Sequence, residues 1–314
     1  MAGDTKTTTY TSNMDKSLAE EVDKLIANVA PTDTPFISMI GSGTCDSTKP
    51  EWLEDTLGDA AANAQVEGFD AEAAAVTPPT RSYNRTQIMA KSFMVSGSLE
   101  EAKKHGRKSE LAYQTGLKMK ELARDMEYAA LNGARADGDG STARAMNGAL
   151  AYAHSDNTYT FGGAAASTNL ITEDLLNDVL QSMWELGANP DTVLAPPAQK
   201  RAISKFTDDG RLTVNTNADQ KKITMTVRIL ETDFGTVAIV PERFIAASGS
   251  DPYYDSLSIF EKSKFELLTF RPVKREELAK TGDSTKYMLV AEKSLKCRST
   301  KCVGKITNLS RVKA

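Results

Sequence analysis

Residues 61–80 read AANAQVEGFDAEAAAVTPPT. Val66, Phe69 and Val76 are the bulky apolar residues in this run, which also carries Glu67, Asp70 and Glu72. A segment this small and acidic cannot bury enough surface to offset its chain entropy, so it forms no core of its own. Strand-like runs flank it, at 51–57 and 83–96. In the second run Ile88, Ala90, Ser92 and Met94 alternate onto one face. The expectation is a long two-stranded excursion over residues 41–97 with a loose tip. An isolated two-stranded ribbon is marginal in water, so it needs another surface to lie on.

The rest of the chain supplies more conventional elements. Residues 1–16 are polar and Thr-rich and read as an extended arm. A short helix follows, with Ser17 and Glu20 as a capping box and Leu18, Val22, Leu25, Ile26 and Val29 on one face. Pro31 and Pro35 then predict an extended path through Phe36 and Ile40. After the ribbon, Ser98 and Glu101 suggest a cap for a first short turn. A longer helix runs over 109–132 and stops at Gly133 in the manner of a C′ glycine. Its inward stripe is Leu111, Thr115, Met119, Leu122, Met126, Ala129 and Ala130. At 1.5 Å per residue this rod is ~36 Å long, which is long for a globular helix. A Gly-, Asp- and Ala-rich loop covers 133–148.

Residues 170–248 have an α/β rhythm. Thr172 starts a helix that Gly187 ends, 192–195 is a short buried strand, and Pro197 opens another helix. Strands follow at 223–229 and 234–240. Residues 253–309 read as four more strands, near 257–261, 265–270, 286–292 and 302–309. The fold class is α+β.

A length of 314 residues suggests about two domains. With 40% hydrophobic and 25% charged residues, the chain has the composition of an ordinary soluble folded protein. No stretch approaches the ~20 apolar residues of a membrane span, and no membrane partner is expected. The first residues lack the apolar centre of a secretory signal. Cys45, Cys297 and Cys302 are too few for a disulfide framework and suit a reducing compartment. The net charge of −4 hides a division. Residues 1–79 hold 14 acidic and 4 basic residues, a net of −10, whereas 80–108 carry +5 and 292–314 carry +6. Opposite patches of this kind suit contact between copies of a chain.

Chemical motifs are sparse. His105 and His154 are the two histidines, which removes most His-based catalysis and metal binding. Asp137-Gly-Asp139-Gly-Ser141 opens like a calcium loop, but the positions that need Gly and Glu hold Thr142 and Gly148. Cys297 and Cys302 have zinc-like spacing without a second pair. Neither a phosphate loop, a dinucleotide fingerprint nor a nucleophile elbow is present. No cofactor is expected, and catalysis has no anchor. The basic segments lack the interleaved aromatics that read single strands, leaving weak, sequence-independent contact with nucleic acid.

Several short stretches, in order and at consistent spacing, carry a likeness. They are Thr34-Pro35-Phe36, Glu51-Trp52-Leu53-Glu54-Asp55, Glu67-Gly68, Arg85-Thr86-Gln87-Ile88, Val95-Ser96-Gly97 and the helix ELARDMEYAALNG. Then come Arg144-Ala-Met-Asn-Gly148, Asn189-Pro190-Asp191, Asp233-Phe-Gly235, Phe270-Arg-Pro272, 278–283 and Glu292-Lys-Ser-Leu295. Over nearly its whole length the chain resembles the tailed-bacteriophage major capsid (major head) proteins with the Hong Kong 97-type fold.

That resemblance implies a layout. Residues 1–40 are an N-terminal arm and 41–97 an extended loop lying over a neighbouring subunit. Residues 98–144 form a peripheral domain with a spine helix, 145–248 an axial domain, and 249–314 return to the peripheral domain as strands. It implies a structural protein that self-assembles into hexamers and pentamers of an icosahedral head around double-stranded DNA. The DNA is held by weak non-specific contact. Partners would be further copies of the chain, a portal protein, and separate scaffolding and decoration proteins. Assembly would take place in the host cytoplasm and the product would be the virion. The short arm leaves no long fused scaffold expected, and no position matches a Lys–Asn cross-linking motif. Trp52, Glu54, Asp55, Glu67, Asp70, Glu72, Arg81 and Arg85 are the expected subunit-interface residues. The alternatives are a cargo-packaging nanocompartment shell of the same fold and a soluble enzyme with a carboxylate site.

Overall fold

The computed structural model describes residues 33–55, 57–58, 60–70, 76, 78–102, 109–162, 169–206, 229–245, 254–280 and 282–310. The early arm, its helix, Glu72, His105 and most of the strand expected at 223–229 lie outside them. Pro35 at the first helical position opens the five-residue helix α1 (Pro35–Met39). An extended path was expected there. Pro35 lacks an N–H that a first helical turn does not use, so it starts a turn as readily as it breaks one.

Strand β1 (Gly41–Thr44) follows. The ribbon is β2 (Glu51–Glu54) against β3 (Thr80–Tyr83), antiparallel, with Glu51 opposite Tyr83 and Glu54 opposite Thr80. Residues 83–96 are therefore not one continuous ribbon strand. The chain breaks at Asn84–Thr86, and β4 (Gln87–Ser96) pairs antiparallel with a later strand, over residues 284–293, and not within the ribbon. Met89 and Val95 of β4 face the core, while Ile88, Ala90, Ser92 and Met94 are exposed.

Helix α2 (Gly97–Glu101) is capped by Ser96, whose hydroxyl accepts the Leu99 N–H, and not by Ser98. Helix α3 (Glu110–Asn132) starts at Ser109, which caps Ala112. Glu100 adds a second cap by accepting the N–H groups of Glu110 and Leu111. Leu122, Met126, Ala129, Ala130 and Leu131 are buried, whereas Met119, expected inward, is half exposed.

Then come β5 (Thr158–Thr160), α4 (Glu173–Glu185), β6 (Thr192–Ala195), α5 (Pro197–Ser204), β7 (Ile229–Thr232) and β8 (Gly235–Pro241). They are followed by β9 (Tyr254–Phe260), β10 (Phe265–Glu277), β11 (Ser284–Cys297) and β12 (Val303–Ser310). Thr172 caps α4, and Gly187 leaves it at φ 84°.

One sheet has the order β1-β10-β11-β4, the other β5-β12-β9-β6-β8-β7. The closing segment divides between them: β10 and β11 build the first sheet, while β9 and β12 pair within the second. Two apolar clusters form, and the first also takes in Leu194, Phe260 and Val303 from the six-stranded sheet. Met89, Leu122, Met126, Leu289 and Leu295 lie in the first, and Leu176, Leu180, Met183, Val193, Leu257 and Ile306 in the second. Phe36, Phe260 and Phe265 stand edge-to-face at 5.4–5.6 Å, joining α1 to the consecutive strands β9 and β10.

Candidate functional site

The ribbon leaves the four-stranded sheet through a polar root. Asn84 is fully buried. Its side-chain oxygen accepts the N–H groups of Arg85 (2.7 Å) and Asn147 (2.8 Å), and its amide donates to the carbonyls of Leu295 (2.5 Å) and Asn147 (3.3 Å). All four capacities of the side chain are used, which fixes its rotamer. Thr86, also buried, donates its N–H to the Thr48 carbonyl at 3.0 Å and its hydroxyl to Glu292 at 2.6 Å. Glu292, 2% exposed, also accepts from Arg144 and Arg271, each at 2.9 Å. One buried carboxylate thus ties together the residue before β4, strands β10 and β11, and the loop after α3.

A second layer covers the root. Arg85 pairs with Asp137 at 2.8 Å and holds that carboxyl below its usual range. The Tyr83 ring lies between Arg135 and Lys49, each 4.1 Å from its centroid. Lys49 in turn meets Glu51 at 2.7 Å, and this hydrogen bond is the main cause of that carboxyl's lowered pKa.

Beyond the root the ribbon changes character. The Trp52 indole N–H donates to Glu54 at 3.2 Å, and Arg81 reaches Glu51 at 3.2 Å. Glu51, Trp52, Leu53 and Arg81 line a shallow pocket of about 270 Å³. Leu53, Leu57, Val66, Phe69 and Val76 are all more than half exposed. The described residues between β2 and β3 contain no strand or helix, only a turn closed by the Phe69 N–H on the Val66 carbonyl, with Gly68 at φ 80°.

Of the residues expected to act together, Trp52 and Glu54 are in contact, and Asp55, Glu67 and Asp70 are exposed. Arg81 and Arg85 are engaged within the subunit, with Glu51 and Asp137. The residues that fix the root, Asn84, Thr86, Arg144, Arg271 and Glu292, were not among those expected. Their signal was the interruption of apolar alternation by Asn84-Arg85-Thr86, a polar break where a long strand would need none.

The other motifs fall into ordinary turns. Asp139 accepts the N–H groups of Ser141 and Thr142, and these bonds lower its pKa to about 2. His154 accepts the Asp156 N–H, and burial pushes the Cys297 thiol up to about 12. Among the described residues no group of three or more His, Cys, Asp or Glu is placed to hold a metal ion. The built feature is mechanical: a ribbon fixed at its root that presents apolar side chains to solvent.

The model of the SU10 major capsid protein family matches residues 3–310. The chain is 27% identical to the major capsid protein of Escherichia phage Phieco32, over 87% of this chain and 89% of the relative. Among solved structures, the capsid of a native GTA particle superimposes with a TM-score of 0.68 at 13% identity, covering 95% of this chain and 98% of that one. The SrpI encapsulin of Synechococcus elongatus PCC 7942 superimposes with a TM-score of 0.59 at 10% identity, covering 94% of each chain. The architecture is the Hong Kong 97-type capsid fold, and the chain belongs to the SU10 major capsid protein family.

Proposed function

We propose that this major capsid protein builds a phage head by laying its ribbon over a neighbouring copy. The observation that carries this reading is the exposed row Leu53, Leu57, Val66, Phe69 and Val76 beyond a root fixed by Asn84, Thr86 and Glu292. Apolar side chains held away from their own core gain stability only against another surface. In this reading Trp52, Glu54, Asp55, Glu67, Asp70 and Glu72 meet the neighbour, and Arg81 and Arg85 hold the ribbon in position. The N-terminal arm is a second tether, the α3 region is peripheral, and the sheet containing β6 and β8 faces the capsomer axis.

Copies assemble into hexamers and pentamers that close an icosahedral head around double-stranded DNA. A portal protein and separate scaffolding and decoration proteins complete it in the host cytoplasm. The role is structural and requires no catalysis.

Likeness to the SrpI encapsulin favours a second reading, a shell that encloses cargo protein. Particles purified from a phage lysate and probed with nuclease after opening separate the two. Protected double-stranded DNA supports the head, and a protein filling supports the compartment.

A further inference from the structure

Two buried carboxyls meet where the arm crosses α3. Glu127, with no exposed surface, accepts the backbone N–H groups of Phe36 (2.6 Å) and Ile37 (3.0 Å) from α1. Glu242, 1% exposed, follows β8 and lies within hydrogen-bonding reach of the Glu127 carboxyl. Its Oε1 accepts the N–H groups of Arg243 and Phe244, each at 2.8 Å. Its Oε2 is buried and meets no donor among the described residues. Two ionised carboxylates in contact repel, and a buried acceptor without a donor is costly. One proton between them removes both penalties, as in paired acidic groups generally.

We infer that Glu127 and Glu242 share a proton, making a pH-operated clasp that holds α1 and residues 241–245 against α3. Other contacts converge on the same place. The Asn132 amide donates to the Phe244 carbonyl at 2.6 Å, and the Glu242 N–H donates to the Ala195 carbonyl at 2.9 Å. The clasp therefore joins the arm, the long helix and the six-stranded sheet.

The surrounding charges leave the proton as the neutralising partner. α1 carries no charged residue, α3 brings Arg124, and residues 241–245 bring Arg243. The Arg124 guanidinium lies 5.8 Å from the Phe244 ring centroid, and the Arg243 side chain is exposed. Among the described residues neither pairs with either carboxylate. Burial, with the Glu242 charge adding to it, raises the Glu127 pKa from 4.5 to about 7. A raised carboxyl favours the closed form most at low pH, and that support is lost as pH rises to about 7.

Hydrogen exchange on the full chain tests the clasp. Corrected protection of the Phe36 and Ile37 amides should be flat below about pH 4.5, fall by up to about tenfold per pH unit between there and about pH 7, then level off. In Glu242→Gln a side-chain amide replaces the shared proton and the second charge is gone; burial still raises Glu127, so the fall in protection should become shallower and end at a lower pH than in the wild type. Identical pH dependence in the variant, or none in the wild type, overturns the inference. Infrared spectra of the wild type give a readout that does not depend on the variant folding. A protonated-carboxyl band that disappears as pH passes about 7 supports the shared proton, and its absence overturns it.

Discussion

The backbone N–H of Gly148 donates to the carbonyl of Gly133 at 2.8 Å, so the chain crosses itself at two glycines where α3 ends. A Cβ on Gly133 would lie 2.4 Å from the Met146 carbonyl oxygen, and one on Gly148 would lie 2.5 Å from the Gly133 nitrogen. Both collisions are with backbone, which cannot swing aside as a side chain would. Gly148→Ala is expected to destabilise the subunit by about 2–3 kcal/mol in urea unfolding. Gly116, within α3, meets nothing within 4 Å, and Gly116→Ala should stabilise by about 0.5–1 kcal/mol. Equal effects of the two substitutions would contradict the crossing.

Glu292 organises the ribbon root, so its removal should loosen the ribbon without unfolding the six-stranded sheet. Glu292→Ala leaves Arg144, Arg271 and the Thr86 hydroxyl without their common acceptor. The two arginines reach solvent, which limits the cost to about 2–4 kcal/mol. Hydrogen exchange should show faster exchange at Thr86 and along β2 and β3, with β6 and β8 unchanged. Uniform loss of protection would show that Glu292 serves the whole fold.

Phe36 fills the joint between the arm and both sheets, edge-on to Phe260 and Phe265. Phe36→Ala should cost about 3–5 kcal/mol, as for other fully buried aromatics. Thermal unfolding of the soluble subunit gives the measurement. A change below 1 kcal/mol would mean that the joint collapses without penalty.

Charge supplies a further prediction. Residues 1–79 carry a net of −10, against +5 over 80–108 and +6 over 292–314. If these meet across copies, light scattering should show slower assembly as salt rises and the Debye length shrinks. Assembly that is indifferent to salt would leave apolar burial as the driving force.

Much of this was legible in local chemistry. Thr172 and Gly187 bounded α4 because a cap hydroxyl and a positive-φ glycine are local requirements. The ribbon's existence followed from what residues 61–80 lack. Its exit at Asn84–Thr86 did not, because the partners Asn147, Leu295 and Glu292 lie 63 to 211 residues away. Gly133 was read as a left-handed helix stop, yet its φ is −56° and its small size serves the crossing with Gly148. Glu127 has the pattern of a surface helix residue, and only contact with Phe36 and Ile37, about ninety positions earlier, makes it a buried one.

Deleting residues 59–76 tests the ribbon's role most directly, with purified intact and shortened chains assembled in parallel and imaged by electron microscopy. The intact chain should give shells, tubes or capsomers. The shortened chain should remain soluble and folded, because the deleted run contributes no described residue to either apolar cluster, yet form no stable shell. Normal shells from the shortened chain would contradict the account.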